Sequence, residues 1–527
     1  MGSGSRHDGR GDAVSATAEP AQGQAAPPLA VPFGAWEPDR SSVDSVSSAV
    51  ALNVYPQANG YGPVPSPVGV TLPLPGACRG AISVRLRSGT WVVYAGTATR
   101  LYRFNNATLG WTDVSGPSPY LLPPEDYWSF ALYGTLLIAT HTGARPQTID
   151  IEAVATTKFS DLAYTSADPP PRARFVCVVN EFVLLGGLLD NEAAVQWSGI
   201  GDPHYWTPGV NDSDIQILPD GGRVTAVVGG DAGIVFQETA IQEFVFNPGS
   251  GQVFSRTKLE SDRGAVAPWS VTKVGAQIFF LDRDGFYVFS GGLSQPVGKE
   301  RVNRWFQALR DPTYIETCVT VPDPTGTRVL WAFKSQNSAN PTLLDVCACY
   351  DYVLDRWTQV DLTVQFWLRA ETAPISFDTV SEDVDQGAAP YAFVHGLSAD
   401  SALFSGGVPL VGLFGTDNRL ALLEGPSLEA RIETPWVQAA RPKRAYADGV
   451  RLDSDANAWF ATVATRESLG ATDPARWRPE SAPNAERFAP CRASGRYHKV
   501  KARILAGDPW TYAQAVEPLL RDAEGMR

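Results

Sequence analysis

The sequence predicts an all-β chain: a β-propeller of about six blades followed by an additional C-terminal β domain, a platform or a sandwich. Three observations carry that expectation. Aromatic residues are plentiful (Trp 15, Tyr 17, Phe 23) and so are Gly (48) and Pro (41), a mixture that suits short pleated strands joined by tight turns. Apolar, strand-like runs alternate with turn residues about every ten positions. Groups of such runs recur at a spacing of roughly 40–50 residues, the period of a propeller blade.

Along the chain, residues 1–33 read as a flexible N-terminal arm rich in Gly, Ser, Ala, Pro and Gln, too poor in apolar groups to offset the entropy of ordering. Its Arg10-Gly11-Asp12 triplet is of a kind that arises by chance. Residues 34–78 form an extended lead-in with many turn residues. The propeller is expected over 79–370. Its first unit runs through Val84, Trp91, Tyr102 and Trp111, and the second through Phe130 and Ile138. The third, Phe175 to Trp206, turns at Asn180-Glu181, and the fourth, Val224 to Phe246, turns at Gly229-Gly230. The fifth, Val274 to Phe289, turns at Asp284-Gly285, and the sixth runs from Val329 to Thr358. Each unit exposes an apolar face that only a neighbour can cover, so the ring must close. Trp91, Trp197 and Trp331 are expected inside it. One helix is expected over 302–309, ending before Pro312. Residues 371–527 form the C-terminal β domain, with strands expected at 392–395, 420–423, 459–463 and 497–504.

Composition bounds the function. With 44% hydrophobic and 19% charged residues the chain is globular. A net charge of -13 excludes a protein that grips nucleic acid over its whole surface, because such binding is driven by Lys and Arg neutralising phosphates. A conduit along which DNA slides is compatible with that charge. No segment reaches the roughly 18 consecutive apolar residues of a membrane span. The N-terminus lacks an apolar signal core, so synthesis and assembly in a cytoplasm are expected, and the sequons at Asn106 and Asn211 then carry no glycan. The six cysteines lack framework spacing. Cys347 and Cys349 lie on one strand face as small buried hydrophobes, without further ligands at zinc spacing.

The search for chemistry returns mostly negatives. Residues 292–300 look like a phosphate loop, but one residue too many separates Gly292 from Gly298, and Glu300 stands where Ser or Thr would hold magnesium. Asp282 and Asp284 fall short of a calcium ladder and read as a hairpin turn. Ser88-Gly89-Thr90-Trp91 is like the end of a sialidase Asp-box without its Asp. No nucleophile elbow or His-Glu-x-x-His occurs, and the five histidines (7, 141, 204, 395, 498) are scattered. No catalytic residue, cofactor site or metal site is therefore expected. The one candidate contact is a basic stripe, Lys499, Lys501 and Arg503, whose alternation puts the three on one face of a strand, towards solvent, DNA or a neighbouring subunit.

Several runs in consistent order resemble one family. They are 220–226 (Asp-Gly-Gly-Arg-Val-Thr-Ala) with Gly229-Gly230 and Val235-Phe236-Gln237, Val195-Gln196-Trp197-Ser198, and Arg263-Gly264 with Ala267-Pro268. Asp284-Gly285-Phe286, Pro296-Val297-Gly298 with 302–306, and Ser494-Gly495-Arg496-Tyr497-His498 near Trp510 complete the set. Over residues 34–515 the chain is similar to the tail nozzle, or packaged-DNA stabilisation (tail tube), proteins of short-tailed bacteriophages. The resemblance implies a non-enzymatic, propeller-bearing subunit of a homo-hexameric ring below the portal and adaptor proteins, in contact with them and with tail fibres. Such a ring extends the DNA channel, keeps it shut until infection and lets double-stranded DNA pass without tight binding. It places the protein in the virion tail, assembled in the bacterial host cytoplasm. The alternative is a tail-borne, glycan-binding or glycan-cleaving propeller for host recognition.

Overall fold

Alternating apolar residues and tight turns give six four-strand meanders and a seventh four-stranded blade, whose faces pack against one another. The computed structural model describes residues 30–40, 46–249, 251–340, 343–371, 407–438, 444–470 and 472–522. Blade 1 consists of Ala81–Arg85, Trp91–Gly96, Leu101–Asn105 and Gly110–Asp113. Blade 2 is built from Ser129–Tyr133, Leu136–Thr140, Gln147–Asp150 and Ser160–Asp161. Ala173–Val179, Phe182–Leu188, Asn191–Trp197 and Asp214–Ile217 make blade 3. Blade 4 runs Val224–Val228, Ala232–Gln237, Ile241–Phe246 and Phe254–Glu260, and blade 5 runs Thr272–Val274, Gln277–Asp282, Gly285–Phe289 and Gln295–Pro296. Val319–Pro322, Arg328–Phe333, Val346–Asp351 and Arg356–Val360 form blade 6. Blade 7 takes Phe366–Glu371, Pro409–Phe414 and Leu420–Ser427, and its outermost strand is Pro65–Gly69 from the other end of the chain.

Seven apolar clusters fill the gaps between successive blades, and one of them joins blade 7 to blade 1 through Val93, Phe104, Leu368 and Phe414. The ring is closed. The local turns follow from sequence. Asn180, at φ 49°, opens the two-residue hairpin between Ala173–Val179 and Phe182–Leu188, a left-handed conformation that Asn tolerates. Trp197 and Trp331 are buried as expected, whereas Trp91, at the start of its strand, is only half-buried.

The propeller thus extends beyond residue 370, to Ser427. Blade 7 escaped the sequence reading because residues 372–408 separate two of its strands and its fourth strand precedes blade 1. The strand expected at 420–423 exists and belongs to the propeller; the one at 392–395 lies outside the described residues. The C-terminal unit begins at Ala430 and is a sandwich of two sheets. Ala430–Glu433, Tyr497–Ile504, Trp459–Arg466 and Arg476–Trp477 lie in one, and Ala445–Ser454 and Ala513–Asp522 lead the other. Val450, Leu452 and Val516 of the second sheet share a core with Trp459, Val463, Val500 and Ile504 of the first.

The expected lead-in, 34–78, is in fact a strap sewn through both units. Val31–Pro32, placed in the arm by sequence, pairs with Ala513–Asp522; residues 1–29 lie outside the described residues. Val50–Leu52 inserts between blade 6, where Leu52 lies parallel to Gln359, and the sandwich, where Ala51 lies opposite Ile432. One nine-stranded sheet therefore runs from blade 6 into the C-terminal unit. Asp39 accepts bonds from the backbone N–H groups of Arg304 (2.7 Å) and Trp305 (2.8 Å). It thereby satisfies the free donors that open the helix Asn303–Leu309, and Trp36 packs edge-on against Trp305 at 4.9 Å. Pro- and Gly-rich pieces of two to five residues lack the alternation that announces a strand; they are ordered because existing sheets offer them an edge.

Candidate functional site

Residues that precede or begin the innermost strand of each blade meet at one end of the propeller axis. Arg79, before blade 1, donates from Nε to the carbonyl of Asp126 (3.0 Å) and from Nη2 to that of Pro123 (3.2 Å). Asp126, before blade 2, accepts from Arg174 Nε of blade 3 at 3.0 Å. Arg174 also reaches Glu316, before blade 6, at 3.4 Å. Glu316 in turn pairs with Arg223, before blade 4, which holds Glu238 at 3.0 Å.

Aromatic rings fill the middle. Tyr127 lies under the Arg79 guanidinium (5.0 Å) and packs on Trp269, before blade 5, at 5.6 Å and on Phe366 of blade 7 at 5.3 Å. Its hydroxyl donates to the carbonyl of Thr317 at 3.4 Å. A side chain that touches blades 1, 5, 6 and 7 while belonging to blade 2 has to lie on the axis, since distant blades meet nowhere else.

The electrostatics follow from burial. Arg79 is 8% exposed and Asp126 4%. Burial raises the carboxyl pKa of Asp126 above the ordinary range, and Arg174 pulls it back only in part. Burial also acts to lower the Arg223 pKa, but Glu316 and Glu238 outweigh it and the guanidinium is held charged. Arg174 and Arg223 alternate with Asp126, Glu316 and Glu238 in one chain of ion pairs, and the Arg79 guanidinium is taken up by backbone carbonyls and the Tyr127 ring, so the cluster is a brace across the axis. It closes this end of the propeller's own channel.

Sequence reasoning missed this site, although a signal was present. Residues 79, 126, 174, 223, 269, 316 and 366 recur at intervals of 46 to 50. No single residue type repeats, so only the register betrays it.

The basic stripe is where its alternation placed it. Within Tyr497–Ile504, Lys499, Lys501 and Arg503 share the more exposed face. Lys499 pairs with Glu433 at 3.0 Å, and Arg503 with Glu480 at 2.7 Å and Glu429 at 3.1 Å. Lys501 sits 4.9 Å from the Trp477 ring. Two of the three cations are already neutralised within the chain, which leaves little positive charge for phosphate.

The other motifs resolve into structure. Gly298 accepts the backbone N–H groups of Arg301, Val302 and Asn303 as the helix starts, and 292–300 is the short outermost strand of blade 5 with the turns on either side of it. Asp282 and Gly285 close a hairpin. All six cysteines are free and buried. His141 is buried, which pushes its pKa down to about 4, and burial lowers that of His498 as well. Among the described residues no group of His, Cys, Asp and Glu could hold a metal, and no helix is long and apolar enough to cross a membrane.

No protein-family model and no curated protein matches the chain. Among solved structures it is similar to the β-propeller domain of Myceliophteria thermophila Cps50 (Swd1), at 10% identity over 65% of this chain and 96% of that one, with a TM-score of 0.36. A chain of the Mitotic Checkpoint Complex is similar at 9% identity over 70% of this chain and 96% of that one, with a TM-score of 0.38. It is the sheet topology that makes the chain a β-propeller with an added C-terminal sandwich.

Proposed function

We propose that the protein is a structural subunit of a phage tail, one of six copies in a ring-shaped nozzle below the portal and adaptor. The ring would extend the DNA channel, close it, and release the genome at infection, with assembly in the host cytoplasm. The observation that carries this reading is where the resemblance residues sit. Several of them are positions at which this architecture leaves little room for change. A Cβ on Gly264 would collide with the carbonyl oxygen of Gln237, and one on Gly229 with that of Val178. Gln237 itself is fully buried and donates to the carbonyls of Leu218 (2.8 Å) and Gly222 (2.7 Å). Trp197 donates to the carbonyl of Asp212 at 2.9 Å, and Arg223 belongs to the axial brace. A likeness spread over fold-determining positions of the propeller favours a shared architecture over a shared local motif.

The lumen of such a ring lies between subunits, because each propeller's own axis is braced shut at one end. With -13 per subunit, its wall is repulsive to DNA by default, and closure needs steric contact between loops. Duplex DNA titrated against the purified protein across salt should bind no more tightly than micromolar at physiological ionic strength, the range of non-specific contacts. Nanomolar binding with a steep salt slope would mean that the protein grips DNA, and the conduit reading would fail.

A further inference from the structure

The charge of the chain is sharply divided. Residues 129–260, blades 2 to 4, hold fifteen acidic and seven basic residues, a net of -8 against the -13 of the whole chain. Residues 430–522, the sandwich, hold fifteen basic and eleven acidic residues, a net of +4.

Each region ends in a free sheet edge. In blade 3 the outermost strand is Asp214–Ile217, paired only on its inner side. Ile215 (39% exposed) and Ile217 (51%) project from one of its faces, with exposed Glu192 near the start of the neighbouring strand Asn191–Trp197 and exposed Asp212 just before the edge strand. In the sandwich the nine-stranded sheet ends at Arg476–Trp477. There Trp477 is 39% exposed, Arg476 and Arg478 flank it in the open, and Lys501 stands over its ring. One edge is acidic and aliphatic; the other is basic and aromatic. An exposed strand edge carrying large apolar side chains is a liability that monomers usually blunt.

We propose that the 476–478 edge of one copy docks on the 212–217 edge of a second copy, head to tail. The contact joins two different patches, so it is heterologous and propagates into a ring if the rotation closes. The aliphatic and aromatic side chains form its centre, and opposite charge sets its register and speeds encounter. This contact rests on the ring reading above and assigns the surface that builds the ring.

The test is charge reversal read by mass photometry on the full chain. Arg476→Glu with Arg478→Glu, and separately Glu192→Lys with Asp214→Lys, should each raise the assembly dissociation constant at least tenfold. The two pairs combined in one chain should recover assembly. Trp477→Ala, which removes no charge, should also weaken it and guards against a reversal variant that fails to fold. If the wild-type chain assembles and neither reversal nor Trp477→Ala weakens it, this surface is wrong while the ring reading stands. Failure of the combined variant to recover assembly would likewise overturn the pairing of these two edges. A wild-type chain that stays monomeric at every concentration would remove both.

Discussion

Trp331→Ala is expected to cost about 4 kcal/mol, the scale of losing a large aromatic from a packed core. Trp331 is fully buried between blades 5 and 6. Its indole stacks on Trp357 at 5.7 Å, meets Phe286 at 5.0 Å and donates to the carbonyl of Ser270 at 3.3 Å. The same cluster runs into the sandwich core, so the loss is felt by both units. Urea unfolding followed by tryptophan fluorescence and by far-UV circular dichroism would show the midpoint fall with both probes. Trp331→Phe keeps most of the ring contacts and should fall much less. A midpoint unchanged by the alanine variant would contradict the inter-blade role of this residue.

Asp126→Ala is expected to cost about 3 kcal/mol, because removing one member of a buried pair strands the other. The Asp126 side chain is 5% exposed and that of Arg174 14%. Without the carboxylate, Arg174 keeps its longer contact with Glu316 and the face of the Phe175 ring. Asp126→Asn retains an oxygen for Arg174 and for the backbone N–H of Tyr127, which lies 3.0 Å away, and should lose about half as much. Near-ultraviolet circular dichroism of Tyr127 and Trp269 gives a second readout, since both rings depend on the brace. Equal stability of the wild type and the alanine variant would show that the axial network is ornamental to the fold.

These two residues also show how far the sequence could be read. Trp331 stands in an apolar run between turn residues, and its burial follows from that pattern. Asp126 lies in a Pro-rich loop and carries no local signal of its role. Its partner Arg174 belongs to the next blade, and Glu316 enters from across the ring. Hairpins such as the one at Asn180 were legible because their chemistry is local. Blade 7 was not, because Pro65–Gly69 becomes a strand only when Leu420–Ser427 presents an edge to it. The strap was missed for the same reason. The basic stripe was placed on the right face by alternation alone, but its carboxylate partners Glu433, Glu429 and Glu480 come from other parts of the sandwich, so its neutralisation was invisible.

Copies of this chain are proposed to form a ring with the DNA channel between them. Electron microscopy of the purified protein, with class averages viewed along the symmetry axis, tests it most directly. The account predicts a six-fold ring in which each propeller is a solid lobe and a channel as wide as duplex DNA runs along the symmetry axis, narrowed only where loops meet. Particles that remain single propellers, or an assembly whose axis is filled along its whole length, would contradict it.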